Sequence, residues 1–371
     1  MLSICRLFVS LLALCLLVCA CSDKSALKNA EVTKLSVSSD GKYVISGYDN
    51  HYLVLWDIPN RSYHVISQHA NDNSPYFIKH THQFIWQNTH NQVYVQNING
   101  KTIQQFLVNY SVLSQVMTSN LQTYISEDKH WKLYKGYNKN TITMKKYGIG
   151  EDKPLNLTLS HNDKYLLTSG SGSPAYDKMS IKDSLEKEGI NELSLFGGVT
   201  LWNVKTGKPI KKYSGSSSST YATISPNTQY VLSGDLNGSG GLYHLETGKS
   251  IYQNLSLEGR LIQTGKEKFS WNKKGFPPIP KNFRDYNDQL RGQIFSMKYI
   301  TNNTYLRFTN YISYAILYQG TSAVPKKYLS LGKVPFPSVG YYSRDESIDT
   351  SPSTHILVTG QEVDDGINVY Q

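Results

Sequence analysis

A ten-residue phrase recurs along most of the chain and constrains its fold more than any other feature. It is clearest at residues 38–47, 160–169, 225–234 and 351–360, where it reads SSDGKYVISG, SHNDKYLLTS, SPNTQYVLSG and SPSTHILVTG. Weaker copies begin at Lys79, Ser119 and Ile300. Each copy is a polar turn followed by a short apolar strand, and its large sixth residues are Tyr43, Phe84, Tyr124, Tyr165, Tyr230, Tyr305 and Ile356. Self-similarity at intervals that begin as 41, 40 and 41 residues indicates repeated small sheets.

An apolar residue followed by an aromatic one comes after most copies of the phrase. These pairs are Leu55 and Trp56, Leu133 and Tyr134, Leu201 and Trp202, Leu242 and Tyr243, Leu317 and Tyr318, and Val369 and Tyr370, with Val95 and Gln96 as a degenerate member. A turn such as Thr206 and Gly207 then leads into a further strand. A unit of about 40 residues with four strands is typical of one blade of a β-propeller.

The pattern resembles the WD repeat over nearly all of residues 31–371. Trp56 with Asp57 reproduces the signature dipeptide of that family, and Trp202 begins a near match. The Gly-His pair of the family is absent, while Asp49 and Asp235 stand where the Asp of its buried hydrogen-bond network would be. The resemblance implies an all-β, seven-bladed propeller. An unrelated β-sandwich, or two smaller β domains, is the alternative.

The last unit contains three predicted strands before Gln371. We expect residues 25–31, which precede the first unit, to supply the fourth strand and close the ring, because closure removes exposed sheet edges. The expected organisation is therefore one propeller domain at residues 31–371, preceded by a tether or closing strand at residues 21–30. A degenerate eighth blade within residues 258–293 is the alternative blade count.

The first residues have the form of a secretory signal that ends at a cysteine. A cationic start with Arg6 precedes an apolar run at residues 7–18, which is too short to span a hydrocarbon core of roughly 30 Å. Residues 18–21, Val-Cys-Ala-Cys, resemble the lipobox of bacterial lipoproteins. The resemblance implies removal of residues 1–20, with S-diacylglycerol and N-acyl groups added to Cys21. An ordinary signal cut nearby, or an uncleaved short anchor, is the alternative.

Charge and cysteine content narrow the classes of partner. Cleavage before Cys21 would leave that residue as the mature chain's one cysteine, so no disulfide or cysteine zinc site is expected. The net charge of +10 favours anionic lipid headgroups or acidic partners, and we expect no nucleic-acid partner in a cell envelope. Ser22 after the lipidated cysteine favours the outer membrane over the inner one, whereas Asp23 leaves that choice open.

Three stretches exceed the repeat length, near residues 171–197, 258–293 and 332–346. In a four-stranded blade, loops joining strands two and three emerge on the same face as loops joining one blade to the next. All three insertions are therefore predicted to decorate one face, which is where repeat proteins tend to bind. Aromatic and Arg residues are the usual anchors of interfaces, and the candidate partner-binding residues are Trp271, Phe276, Phe283, Arg284 and Tyr286. Packing of these loops over the channel is the alternative.

The sequence contains no established catalytic motif and one local cluster of histidines. On a strand, His80 and His82 would share one face, with His90 nearby, but no carboxylate adjoins them in the sequence as a third metal ligand. Solvent-facing imidazoles in a turn are the alternative. No G-x-S-x-G, P-loop or HExxH motif is present, and residues 238–241 are predicted to form a hairpin turn. We therefore assign no catalytic residue, cofactor or metal site.

Together these patterns predict a lipid-anchored lipoprotein of the bacterial cell envelope that serves as a protein-binding module or scaffold. Two alternatives stay open. One is an enzyme acting on a small molecule in the central channel. A deep pocket lined by His80 and His82, or by paired carboxylates, would favour this alternative. The other is an envelope-anchored immunity or inhibitor protein whose inserted loops plug a partner's active site.

Overall fold

The computed structural model describes residues 27, 30–71, 74–128, 133–136, 142–143, 153–171, 198–213, 220–235, 240–253, 294–309, 314–322, 326–330, 348–360 and 367–370. All regular elements among them are β-strands. The part of the chain so described contains no helix that is long and apolar enough to cross a membrane. The all-β prediction is therefore confirmed.

The strands of the first four sheets follow one another along the chain. They are β1 (Val32–Val37), β2 (Tyr43–Tyr48), β3 (Leu53–Asp57), β4 (Ser62–Ser67), β5 (Tyr76–Phe77), β6 (Gln83–Gln87), β7 (Gln92–Asn97), β8 (Thr102–Leu107), β9 (Val112–Met117), β10 (Tyr124–Asp128), β11 (Leu133–Lys135), β12 (Ile142–Thr143), β13 (Lys153–Leu159), β14 (Tyr165–Ser171), β15 (Gly198–Asn203) and β16 (Pro209–Tyr213). Each set of four consecutive strands forms one antiparallel sheet in sequence order.

The remaining strands continue the same plan. They are β17 (Thr220–Ile224), β18 (Tyr230–Asp235), β19 (Gly240–His244), β20 (Ser250–Gln253), β21 (Ile294–Thr301), β22 (Thr304–Thr309), β23 (Tyr314–Gln319), β24 (Lys327–Ser330), β25 (Ile348–Ser351), β26 (Ile356–Gly360) and β27 (Ile367–Tyr370). The last sheet contains three strands among the described residues. The first strand of every sheet contacts the neighbouring sheet, including β1 with β25, so the seven sheets form a closed ring of blades.

Faces of adjacent blades pack against each other and form the core. In the first blade, β3 begins with three consecutive buried residues, whereas the outer strand β4 is exposed or half-buried. Strands buried on both faces read as continuous apolar runs, and strands with one wet face alternate. Ile45 and Leu55 of blade one pack with Phe77 and Phe84 of blade two. The same face-to-face packing recurs between the following blades.

The recurring phrase is a tight hairpin that joins the first strand of a blade to the second. The Ser38 hydroxyl accepts a hydrogen bond from Tyr43 N–H at 3.0 Å, and the Ser160 hydroxyl accepts one from Tyr165 N–H at 2.9 Å. The third copy differs from its predicted register, because the hydroxyl there belongs to Thr118 and not to Ser119. Its turn therefore begins one residue earlier than the sequence pattern suggested.

The tryptophans of the Trp-Asp and Trp-Asn pairs each donate a hydrogen bond to a hydroxyl on the neighbouring strand of their blade. Trp56 Nε1 donates to Ser46 Oγ at 2.8 Å, and Trp202 Nε1 donates to Thr168 Oγ1 at 2.9 Å. Asp49, however, is exposed and accepts a hydrogen bond from Glu31 N–H at 3.0 Å. It lies at the entrance to the first blade and not in a buried His–Asp pair. The side chain of Asp235 lies outside the described residues.

Blades one and seven pack directly against each other. Leu35 and Val44 of the first blade share a cluster with Ile356 and Val358 of the last. Within the predicted closing segment, residues 25, 26, 28 and 29 lie outside the described part of the chain. Leu27 and Ala30 are buried against Tyr48 and Val54 of blade one. A fourth strand beside β27 therefore stays a prediction, as does an eighth blade within residues 258–293.

Candidate functional site

The central channel opens into a cavity of about 540 Å³ at one end of the ring. The first strand of each sheet is the inner strand of its blade, and all seven inner strands contribute to the lining. The hairpin turns of blades one, two, four, five and seven contribute as well. Those turns lie at the end opposite to the loops that join strands two and three or lead from blade to blade. The cavity mouth is therefore at the end of the ring away from the strand ends that the three long connections join, β14 to β15, β20 to β21 and β24 to β25.

Lys79 reaches across this cavity from the turn that follows β5. Its Nζ donates a hydrogen bond to the carbonyl oxygen of Leu159 on β13, two blades away. Burial lowers the pKa of Lys79 to about 8, with Lys298 lowering it further, while Asp163 and Asp349 oppose the shift. Desolvation disfavours the charged form of a lysine, so this ammonium is held at a cost that its single described acceptor does not offset.

Two carboxylates close to Lys79 have structural partners of their own. Asp349 on β25 accepts a hydrogen bond from Val37 N–H at 2.8 Å. Asp163 Oδ2 accepts one from Ser119 N–H at 2.7 Å and a second from the Ser119 hydroxyl. Both aspartates therefore hold neighbouring blades together in addition to lying near the lysine.

Histidines gather at the rim of the cavity. His80 Nε2 lies 2.9 Å from the carbonyl oxygen of His161, and the two rings meet edge to face with centroids 4.0 Å apart. The residue His161 as a whole is exposed, but partial desolvation of its imidazole lowers the pKa to about 4. The nearby His80 and Lys79 lower it as well. The His161 imidazole is therefore neutral at pH 7.

His82 has a separate partner. Its Nε2 lies 2.9 Å from Asp40 Oδ2. Desolvation is the largest single influence on the pKa of Asp40 and raises it. Hydrogen bonds from Ser38, His82 and Lys42 N–H together outweigh desolvation, so the pKa is lowered. The sequence allowed His80 and His82 to lie either on one face of a strand or in a turn. The structure places both in the turn before β6, on different partners. No three His, Cys, Asp or Glu side chains in the described ranges are close enough to hold a metal ion.

The residues that the sequence proposed for function are not among those that the structure describes. Cys21 and all five candidate partner-binding residues, Trp271, Phe276, Phe283, Arg284 and Tyr286, fall outside the described residues. Sequence reasoning missed the convergence of Asp40, Lys79 and His161. A signal for it exists, because all three occupy the same kind of hairpin turn in different blades. Residues in equivalent turns of a closed ring meet at one mouth.

Comparisons with known proteins agree with this architecture. The family profile for the WD domain, G-beta repeat, matches residues 25–57. By sequence, no curated protein matches the chain. Among solved structures, the β-propeller domain of Cps50 (Swd1) from Myceliophteria thermophila has a TM-score of 0.59 at 9% identity, over 91% of this chain and 95% of that one. The chain folds as a WD-repeat-like β-propeller. Seven described sheets are compatible with the predicted count of seven blades.

Proposed function

We propose that the protein is a lipid-anchored propeller of the bacterial cell envelope that binds another protein. The observation that carries the proposal is the run of residues 18–22, in which small residues precede Cys21 directly after an apolar stretch. Propellers of the WD type are suited to protein interaction, and the two features together give a membrane-held scaffold. Ser22 favours the outer membrane, with Asp23 as the residue that argues against it.

The tether in this proposal is short. Leu27 is packed against blade one, and it comes six residues after Cys21. Six residues span at most about 21 Å when fully extended. The propeller would therefore lie close to the lipid surface, where its net charge of +10, less the charge of Arg6 removed with the leader, favours anionic headgroups.

The topology gives the anchored body an orientation. The chain enters β1 at the same end of the ring as the loops that join one blade to the next, including the connections from β20 to β21 and from β24 to β25. The hairpins around the cavity lie at the other end. In this arrangement the face with the insertions is turned toward the membrane, and the cavity opens away from it. A protein bound by the insertions would itself be membrane-associated.

Residues 258–293 are the strongest candidate for the contact with that partner. They connect β20 with β21 and contain Trp271, Phe276, Phe283, Arg284 and Tyr286 interleaved with several lysines. Aromatic and Arg side chains dominate the energetics of most interfaces. Replacement of this stretch by a short Gly-Ser linker should remove the partner, whereas the same replacement of residues 172–197 should not.

The experiment is a pull-down of the full chain from membranes, with both replacements compared with the wild type. Loss of a specific protein from the sample with residues 258–293 replaced, and its retention in the other, is expected. The same proteins in all three samples would contradict the proposed binding surface. A partner whose enzymatic activity falls on binding would identify the chain as an inhibitor or immunity protein.

An enzyme acting in the channel is a second candidate, because the cavity contains both His80 and His82. The pair of His82 with Asp40 resembles the orienting half of an acid–base site. Among the described residues, however, Ser38 Oγ donates to Asp40 and not to the imidazole. The site therefore lacks a hydroxyl nucleophile activated by His82, and we give the binding role priority.

A further inference from the structure

Three lysines converge on the channel cavity from different blades. Lys34 lies on β1, Lys79 in the turn after β5 and Lys298 on β21, and all three line the cavity. The carboxylates in the lining are Asp40 and Asp349. Asp163 lies close to Lys79 behind this lining, so the positive groups of the cavity and the carboxylates around it occur side by side.

The two lining carboxylates are committed to the wall. Asp40 Oδ1 accepts hydrogen bonds from Ser38 Oγ at 2.7 Å and from Lys42 N–H at 3.2 Å, and its Oδ2 lies 2.9 Å from His82 Nε2. Asp349 Oδ2 accepts its bond from Val37 N–H at 2.8 Å. Asp163 and Asp349, the carboxylates near Lys79, accept hydrogen bonds from Ser119 and Val37, and neither accepts one from Lys79 among the described residues.

Lys79 is the cation that most needs an additional partner. An ammonium has three donors, and the carbonyl of Leu159 is its one hydrogen-bond acceptor within the described residues. Lys79 is half-buried in the cavity wall, and a charged group that loses part of its hydration is stabilised by a paired charge. An anion in the cavity would supply a charge-assisted hydrogen bond and offset that loss.

Size and lining indicate what kind of anion fits. A cavity of about 540 Å³ lies in the range that holds small molecules. Besides the lysines, the half-buried hydroxyls of Thr158 and Thr223 line it, together with the apolar side chains of Leu159 and Ile224. A ligand with hydroxyl groups and a compact carbon skeleton could satisfy such a surface.

We propose that the channel cavity binds a small hydroxyl-bearing anion, of the class of sugar phosphates and sugar acids, through a contact between its anionic group and Lys79. Lys34 and Lys298 add positive potential around that group. The mouth faces away from the insertions, so soluble ligands can enter while a protein occupies the other face. Neither the lipid anchor nor a protein partner is needed for this site.

The test is calorimetric titration of the detergent-solubilised full chain with glucose 6-phosphate, inorganic phosphate, glucuronate and glucose. Binding of at least one anion and not of glucose is expected. Response to the phosphates alone or to glucuronate alone tells whether the anionic group is a phosphate or a carboxylate. Equal binding of glucose, or no binding of any anion at millimolar concentration, would overturn the proposal.

Variants locate the site. Lys79→Met should weaken anion binding by about tenfold to a hundredfold, which is the usual worth of one charged hydrogen bond. Lys101→Met is the matched control, because Lys101 is exposed in a turn of blade two outside the cavity. Lys34→Met supplies a second cavity variant if Lys79→Met does not fold. Equal affinity of both cavity variants and the control would overturn the proposal.

The dependence of affinity on pH separates a contact from a structural role. The groups that face Lys79 are Asp163, Asp349, Lys298 and His161. Wild-type affinity should fall between about pH 7.5 and about pH 9.5 as Lys79 loses its proton, whereas Lys79→Arg should bind without that decline because a guanidinium stays charged. Identical pH profiles for the two proteins would contradict direct contact.

Discussion

Asp349 Oδ2 accepts a hydrogen bond from the backbone N–H of Val37 at 2.8 Å, although the two residues are 312 positions apart in the chain. This bond joins the inner strands of the last and first blades. It lies beside the apolar packing of Leu35 and Val44 with Ile356 and Val358. The ring is therefore closed by a polar contact at the channel and by a core cluster behind it.

Loss of the Asp349 carboxylate should weaken this closure. Val37 is 7% exposed, so Asp349→Ala leaves a nearly buried N–H without its acceptor. An unsatisfied buried donor costs about 1–3 kcal/mol, and the free energy of unfolding in urea should fall by that amount. Asp349→Asn keeps an acceptor oxygen and should lose less. Equal losses for the two variants would show that the hydrogen bond is not the source of the stability.

The bond between Trp202 and Thr168 should be measurable as a coupling. Trp202 is 1% exposed, and its indole N–H donates to Thr168 Oγ1 at 2.9 Å. Trp202→Phe and Thr168→Val should each lower the free energy of unfolding by about 1–2 kcal/mol, because each leaves a buried polar group without its partner. In a double-mutant cycle, the combined variant should lose less than the sum of the two. Strict additivity would mean that the two side chains do not interact.

Alanine substitutions at two turn glycines separate the cost of backbone strain from the cost of steric crowding. Gly41 and Gly100 have φ values of 69° and 77°, a region that favours glycine. A Cβ on Gly41 would lie 2.9 Å from Ile356 Cδ1 and 3.2 Å from Thr354 Cβ, whereas a Cβ on Gly100 meets no atom within 4 Å. Gly100→Ala should cost about 1 kcal/mol from strain alone, and Gly41→Ala should cost more. Equal melting temperatures of the two variants would contradict the close approach of blades one and seven.

Lys79 should make stability depend on pH. Its pKa is about 8 in the folded protein against the ordinary value of 10.5, so between these values the unfolded chain binds a proton that the folded protein does not. Stability therefore rises with pH across this window, by up to about 1.4 kcal/mol per unit. Between pH 8 and pH 10, the free energy of unfolding of the wild type should rise relative to that of Lys79→Met. Both proteins contain the same tyrosines, so the titration of those side chains cancels in the difference. A constant difference would show that the lysine is not desolvated.

The sequence predicted the propeller because its repeats carry local information. The polar turn at Ser160 and the aromatic at Tyr165 are joined by a hydrogen bond within five residues, so a pattern along the chain reflects the structure directly. The register of the third copy was wrong by one residue, since Thr118 serves as well as serine in that turn.

The cavity could not be predicted in the same way. Lys79 meets Leu159 across the channel, 80 positions along the chain, and no local pattern encodes that approach. The alternative of a turn at His80 and His82 is confirmed, and His80 has a positive φ of 59° there. His80 consequently pairs with His161, and His82 pairs with Asp40.

A matched pair of cysteine variants tests the proposed lipidation of Cys21 in cells. Cys21→Ala should release the protein from the membrane fraction or leave its leader uncut, because the acylated residue is gone. Cys19→Ala changes the same short run without removing that residue and should leave the protein processed and membrane-bound. Equal membrane retention of both variants, with the leader removed from both, would argue against acylation at Cys21.

Mass spectrometry of the N-terminal tryptic peptide tests the anchor most directly. Trypsin cuts after Arg6 and after Lys24, so a processed lipoprotein should yield the four-residue peptide 21–24 carrying a diacylglyceryl group on sulfur and a fatty acyl group on nitrogen. An intact peptide 7–24, or an unmodified mature end at any other residue, would contradict the account.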